Sequence, residues 1–259
     1  MTGPERVQFL QRLLSNSVEL APGQGVHAYL LTVQGRPQLE LWVYETGERF
    51  WLVCPAAHAA HAHRDLDNYH FGEKLKLVDR TAEPCWVRLG SDLAGLTIRE
   101  DEGRIRCSFA YYGQPAELVW GAAPEGPAVA PETLERLRLE AGSPSPAEYT
   151  EKTMFLEVAG PDAYSETKGC YPGQEVVART LHRGHINRAV RRVRGDGPLA
   201  DGDKLLAEGK EVGWVARACG EIGLAFVRRE HWEGPPLQRE DGLAVTVLTG
   251  VVREGGEDS

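Results

Sequence analysis

The stretch Lys168-Gly169-Cys170-Tyr171-Pro172-Gly173-Gln174-Glu175-Val176-Val177-Ala178-Arg179 sets two glycines, a proline, a thiol and several polar or charged side chains into twelve positions. Behind it, Val176, Val177 and Leu181 have the spacing of an inner helical face. Pro172 suits the first turn of that helix, where its missing N–H costs nothing. Cys170 then stands just ahead of the helix, near unsatisfied backbone N–H groups and the positive end of the dipole. Lys168, two residues earlier, adds a further positive charge. Both influences favour thiolate, the form that attacks an electrophile or binds a metal. Gly169 and Gly173 permit a turn with positive φ or a close approach of backbone to ligand. A lone cysteine is ordinarily a small buried apolar residue; the company of Lys168, Gln174, Glu175 and Arg179 sets this one apart.

Upstream, Pro131-Glu132-Thr133 opens a helix carrying Leu134, Leu137 and Leu139 and ending at Gly142. Arg138 and Glu140 lie two apart on it, so both do not face one ligand comfortably. The Ala/Pro/Gly-rich segment 121–131 marks a loop or boundary. Before it, strands are expected at 29–33, 39–44, 49–53, 74–79, 86–89, 105–110 and 117–120, with a helix over 56–69 and a helical turn near 93–96. Glu40 alternates with apolar neighbours, the pattern of a strand residue on a solvated face. His58, His61 and His63 fall on the 56–69 helix without the acidic partner or spacing of a zinc site, and a largely exposed polar face is the expectation; no metal site is assigned. Val7, Phe9, Leu10, Leu13 and Leu14 predict an N-terminal helix with Asn16 as its cap.

Downstream, Arg183, Arg188, Arg191, Arg192 and Arg194 form a basic run. Its alternation reads as a strand with a charged outer face, and contact with the phosphates of a tRNA is the competing reading. Short strands punctuated by Gly and Pro then continue to 248, the pattern of a small antiparallel barrel or sandwich. Glu254–Ser259 is expected to be a frayed acidic tail.

The whole chain has 259 residues, with 29 basic against 38 acidic side chains, a net charge of −9. That balance argues against a surface devoted to nucleic acid. Five cysteines, with no CxxC pair, fit a reducing compartment rather than a disulfide framework. No basic leader followed by an apolar block, and no apolar run of membrane-spanning length, is seen, so a cytoplasmic protein without membrane contact is expected.

Lys-Gly-Cys-Tyr-x-Gly-Gln-Glu-Val-x-x-Arg at 168–179 resembles the signature of the YgfZ-type folate-binding proteins. These are relatives of the glycine-cleavage aminomethyltransferase (T-protein), in a branch associated with iron–sulfur cluster assembly and repair, including the clusters of tRNA-modifying enzymes. Three further segments are similar to that superfamily: Phe9–Val18, the Gly35-to-Val43 meander with Glu40 at the position of the aminomethyltransferase aspartate, and Arg138-Leu139-Glu140-Ala141-Gly142 followed by Pro144. The resemblance implies an α+β fold of antiparallel sheets with flanking helices over residues 1–180, in two lobes, and an all-β barrel domain over 181–259. It also implies tetrahydrofolate or a one-carbon derivative as cofactor, and iron–sulfur clients or assembly proteins as partners. Cys170 would be the reactive thiol, Lys168 its electrostatic activator, and Gly169, Tyr171, Gly173, Gln174, Glu175 and Arg179 the shape of its loop. Glu40, Arg138 and Glu140 are candidates for the folate pocket. Two other functions stay open: an aminomethyltransferase acting on a lipoyl carrier through Glu40, and a non-catalytic, folate-gated module that binds through the arginine run.

Overall fold

The computed structural model describes residues 1–101 and 103–248. The tail expected at 254–259 lies outside them, as does the Arg183 side chain. Two compact units emerge, and the chain passes between them more than once. The first comprises Met1–Ala110, Gln114–Gly126 and Asp162–Ala178; the second comprises Tyr111–Gly113, Pro127–Pro161 and the chain from Arg179 onward.

In the first unit, helix α1 (Arg6–Gln11) precedes an antiparallel meander of β1 (Gly25–Leu31), β2 (Pro37–Glu45) and β3 (Phe50–Val53). Leu39, Leu41 and Val43 of β2 pack with Ala28, Leu30 and Phe50 against Phe9, Leu10, Leu13 and Leu14. The opposite face is covered too. Tyr44 Oη donates to the Ser108 carbonyl at 2.6 Å, and the Trp42 ring meets Phe109 edge-on at 5.9 Å. Glu40 therefore lies on a buried face instead of a solvated one, at 0 % exposure. Alternation predicts an outer face only when one side of a sheet meets water.

Segment 56–69 is broken, with a 3₁₀ turn at Ala56–His58 and then α2 (Ala62–Asp67). His58 is buried, contrary to the exposed face expected for the histidines. Residues 74–79 form no strand; Lys76 makes one isolated bridge to Thr2. Residues 93–96 form no helix. A second antiparallel sheet runs in the order β4-β7-β6-β5, built from β4 (Cys85–Leu89), β5 (Ile98–Asp101), β6 (Arg104–Ser108) and β7 (Ala116–Trp120). The short, largely polar β5 escaped the sequence reading. Glu117, fully buried in β7, accepts from Arg106 at 2.9 and 3.0 Å and from Ser91 at 2.9 Å, which closes that sheet's polar core.

The second unit holds α3 (Pro131–Glu140), whose first residue is the proline that the sequence marks, and the single-turn α4 (Phe155–Val158). Helix α5 (Gln174–Arg183) follows the motif, with its N-terminal half in the first unit and its C-terminal half in the second. Six strands then close a barrel in the order β10-β11-β8-β13-β12-β9. They are β8 (Arg188–Gly195), β9 (Lys204–Ala207), β10 (Lys210–Cys219), β11 (Ile222–Arg228), β12 (Leu237–Gln238) and β13 (Ala244–Val247). Register shifts in β10, between Glu211 and Gly213 and between Val215 and Arg217, supply the local bending that closure requires. A Cβ on Gly213 would meet the Phe226 carbonyl oxygen at 2.3 Å, so only glycine fits there.

Val193, Leu205, Val215, Ala225 and Val227 fill the barrel, while Val190, Leu224 and Phe226 turn outward onto Leu139 of α3 and Val158 of α4. The outer face of β8 is thus partly covered by helices. The arginines follow suit. Arg188 pairs with Glu157 at 2.8 Å, and Arg192 donates to the Glu140 carbonyl at 2.9 Å. Arg191, opposite the inward Ala225, lies over the Trp232 ring at 3.6 Å. The uniformly charged outer stripe expected from alternation is replaced by arginines tied into the unit's own packing.

Candidate functional site: a latched thiol loop

Tyr171-Pro172-Gly173-Gln174 is a turn, not the first turn of a helix. Gln174 N–H donates to the Tyr171 carbonyl at 3.2 Å, and Gly173 has φ of +80°. Proline followed by a positive-φ glycine is the sequence of a type II turn. A Cβ at Gly173 would sit 2.5 Å from the Thr32 carbonyl oxygen and 3.1 Å from Gly35 Cα, so the turn seats directly on the β1–β2 hairpin. Helix α5 starts only at Gln174, and the N–H groups of Val176 and Val177 bond back to the Gly173 carbonyl. The helix start therefore lies four residues beyond Cys170, not immediately after it as the sequence suggests.

Lys168 is 9 % exposed, and its Nζ donates to the carbonyls of Leu14 and Asn16, the latter at 3.1 Å. It lies over the Tyr171 ring at 5.2 Å. Burial lowers the ammonium to about 8 and raises the neighbouring Tyr171 phenol to about 12. The contacts of Lys168 make it a latch between the motif and the loop after α1, and its donors are directed at main-chain oxygens.

Cys170 is exposed and unbridged, between the buried anchors Lys168 and Tyr171. At Gly169 an added Cβ would meet nothing within 4 Å, and φ is not positive. The backbone does not need glycine there; the position, adjacent to Cys170 in the chain, opens onto free space. Glu175 and Arg179 are exposed on α5 and Gln174 is half-buried.

The loop after α1 is the hub of this site. Ser15 Oγ donates to the Ala163 carbonyl at 2.6 Å and accepts from Tyr29 N–H at 2.8 Å. Asn16, expected as a helix cap, instead donates its amide to the His27 carbonyl at 3.1 Å and the Asp162 carbonyl at 2.7 Å. Helix α1 has already ended at Gln11. His27, 2 % exposed, stacks on Trp42 with centroids 4.9 Å apart and places Nε2 2.9 Å from Glu40 Oε1. Glu40 N–H donates to His58 Nδ1 at 3.0 Å, and burial lowers the His58 pKa. Asn16, His27 and Asp162 escaped the sequence reading because they are distant in the chain and belong to no local pattern.

Arg138 and Glu140 belong to the other unit. Arg138, 5 % exposed, donates to Glu135 at 2.8 and 3.0 Å, to Glu148, and to the Ser143 carbonyl at 2.7 Å. Glu140 pairs with Arg136 at 2.8 Å. Both side chains thus make ion pairs within that unit. Among the described residues, no group of three or more His, Cys, Asp or Glu is placed to hold a metal ion, and no helix is long and apolar enough to cross a membrane.

A pterin offers a flat face and an N–H edge that a carboxylate can accept. The donor chemistry of the first unit is compatible with such a group. Gly169 opens onto free space, and Asp162 carries a carboxylate with 50 % side-chain exposure on the segment that Asn16 holds. Glu40, at 0 %, is reached only through its neighbours.

Comparison with known proteins adds three findings. The family described as CAF17, C-terminal beta-barrel domain, matches residues 188–249. The mitochondrial iron–sulfur cluster assembly factor IBA57 of Mus musculus is 25 % identical over 287 residues, covering 96 % of this chain and 80 % of its own, and that of Homo sapiens is 26 % identical with the same coverage. A crystal structure of the glycine cleavage system aminomethyltransferase T from Bartonella henselae superposes with a TM-score of 0.77 at 17 % identity, covering 97 % of this chain and 82 % of the other. The fold is that of the aminomethyltransferases, closed by a six-stranded C-terminal barrel. These findings agree with the family resemblance carried by residues 168–179.

Proposed function

We propose that this protein is an accessory factor for iron–sulfur cluster assembly or repair, acting through Cys170 beside a bound reduced folate. One observation carries the reading: an exposed thiol is held between two buried anchors, Lys168 and Tyr171. The similarity to assembly factors along nearly the whole chain supports the client class. Lys168, Tyr171 and the Pro172-Gly173 turn fix the loop, so that the thiol is presented without a further ordering cost. Asp162 and the space at Gly169 would receive the pterin; when bound, a reduced folate supplies a carrier for one-carbon units. As a thiolate, Cys170 would coordinate iron, or attack the outer sulfur of a donor protein's persulfide, so that the new S–S bond forms as the donor S–S bond breaks and the donor leaves as thiolate. Cluster enzymes that modify tRNA are proposed among the clients. The five unbridged thiols suit a reducing compartment such as the cytoplasm.

The test is complementation in a strain lacking the corresponding factor. Cys170→Ala should lose the activity of cluster-dependent enzymes, and full rescue by that variant would overturn the thiol's role. Titration with tetrahydrofolate tests the cofactor separately. The aminomethyltransferase alternative rests on Glu40, whose complete burial against His27 is poorly suited to direct contact with a reacting carbon.

A further inference from the structure

We propose that Asp162, His27 and Glu40 form a proton path that joins the surface of the first unit to a carboxylate sealed inside it. His27 is the pivot. Its ring lies parallel to Trp42, with an interplanar angle of 15°, and edge-on to Tyr29 at 5.1 Å. Its two nitrogens each face a carboxylate: Nε2 is 2.9 Å from Glu40 Oε1, and Nδ1 is 3.9 Å from Asp162 Oδ2. One carboxylate has no exposure and the other has 50 %. Asn16 fixes the spacing between pivot and surface, because its amide bonds to the carbonyls of both His27 and Asp162. At 3.9 Å the pair is within ion-pair range but beyond a direct hydrogen bond, so on this path the proton crosses between Asp162 and Nδ1 through one water.

The other groups around the path are assigned. Tyr29 and Trp42 flank the imidazole, His58 Nδ1 accepts the Glu40 amide proton, and His58 in turn meets His61, which pairs with Asp65 at 2.8 Å. The Cys54 thiol, raised to about 11 by burial first and by Asp79 and Glu40 in lesser part, lies within range of the same charge.

The transfer balances as follows. Protonated Asp162 gives its proton to His27 Nδ1 while the proton on Nε2 passes to Glu40. The products are an Asp162 carboxylate, a neutral His27 protonated at Nδ1, and a Glu40 carboxylic acid. The reverse transfer restores the starting state. A carboxylate this deep is costly to keep charged away from a proton donor, and the His27 ring nitrogen 2.9 Å away is the group placed to supply one. The path deepens the proposed function and rests on that reading for its use; the geometry is independent of it.

The test is ¹⁵N-histidine NMR on the full chain without folate, between pH 5 and 9 (roughly the range in which imidazole titrates). Asp162→Asn should change the His27 tautomer balance read from its Nδ1 and Nε2 resonances, because it removes the carboxylate facing Nδ1. Asp67→Asn, next to His70 at 3.6 Å, should leave it unmoved. Glu40→Gln should alter the Nε2 resonance; Asp162, being half exposed, keeps the test valid should that buried variant not fold. An unchanged His27 tautomer balance in Asp162→Asn would overturn the path. Failure of the folate reading would show differently, as absent tetrahydrofolate binding with the Asp162–His27 coupling intact.

Discussion

Lys168 illustrates how a residue can sit in the right motif and do a different job. Its ammonium is desolvated and bonded to main-chain carbonyls, and its pKa falls from 10.5 to about 8. A group with a depressed folded pKa disfavours the folded state while both forms are protonated; its contribution is fully present above 10.5 and is lost as pH falls to about 8. Stability of the native chain, relative to Lys168→Met, should therefore rise between pH 8 and 10.5 and stay flat below 8, as read by denaturant midpoints. A flat difference across that window would mean that the lysine is solvated. The two motif glycines should separate cleanly. Gly173→Ala forces a left-handed φ, worth roughly 1–2 kcal/mol, and drives a methyl group against the Thr32 carbonyl, so its melting temperature should drop. Gly169→Ala should change stability by no more than about 0.5 kcal/mol yet slow modification of Cys170 by a bulky maleimide. Equal thiol reactivity in the two proteins would remove the argument for a cleared space.

Among the elements, α3 is held to its unit by more than its apolar stripe. Arg138 bridges Glu135 and Glu148, and Glu148 Oε2 also accepts from Ser145 N–H at 3.0 Å. Removing the guanidinium strands a buried carboxylate. Arg138→Leu should cost about 3–5 kcal/mol in denaturant unfolding, and adding Glu148→Leu should return a large part of it. A single-variant loss under about 1 kcal/mol would show the network to be ornamental. Strand β8 makes the same point about charge. Arg188 and Arg192 have intramolecular partners and Arg191 covers Trp232. Arg191→Glu should thus lower the stability of the barrel before it changes any salt-dependent affinity for tRNA, which anisotropy at two ionic strengths would check. A tRNA affinity lost with the fold unaltered would instead favour the nucleic-acid reading.

At the scale of the molecule, binding of a folate would appear as stabilisation by mass action. Tetrahydrofolate at about a hundred times its Kd should stabilise the chain by about 2.7 kcal/mol, seen as a raised melting temperature, and by less in Asp162→Asn. No shift at saturating concentration would remove folate from the proposal. The net charge of −9 sets the background against which local basic groups act.

Local pattern carried a good deal of this protein. Pro131 opening α3, the β1–β3 meander and the close-spaced strands of the barrel were all legible, because turn chemistry and hydrophobic period act over a few residues. So was the 168–179 motif, whose composition is unusual wherever it folds. The broken helix at 56–67, the 74–79 segment with its single bridge and polar β5 were not, because their state depends on what packs against them. The same holds for the site. By itself the sequence determined that one thiol stands among glycines and charges in an α+β chain ending in β structure. Only the tertiary structure decided that Lys168 turns inward to the Leu14–Asn16 loop, that Glu40 is sealed against His27, and that Asn16 clamps His27 to Asp162. These contacts join residues 11 to 154 positions apart, and burial on both faces of a strand is a property of its neighbours, to which no periodicity within the strand responds.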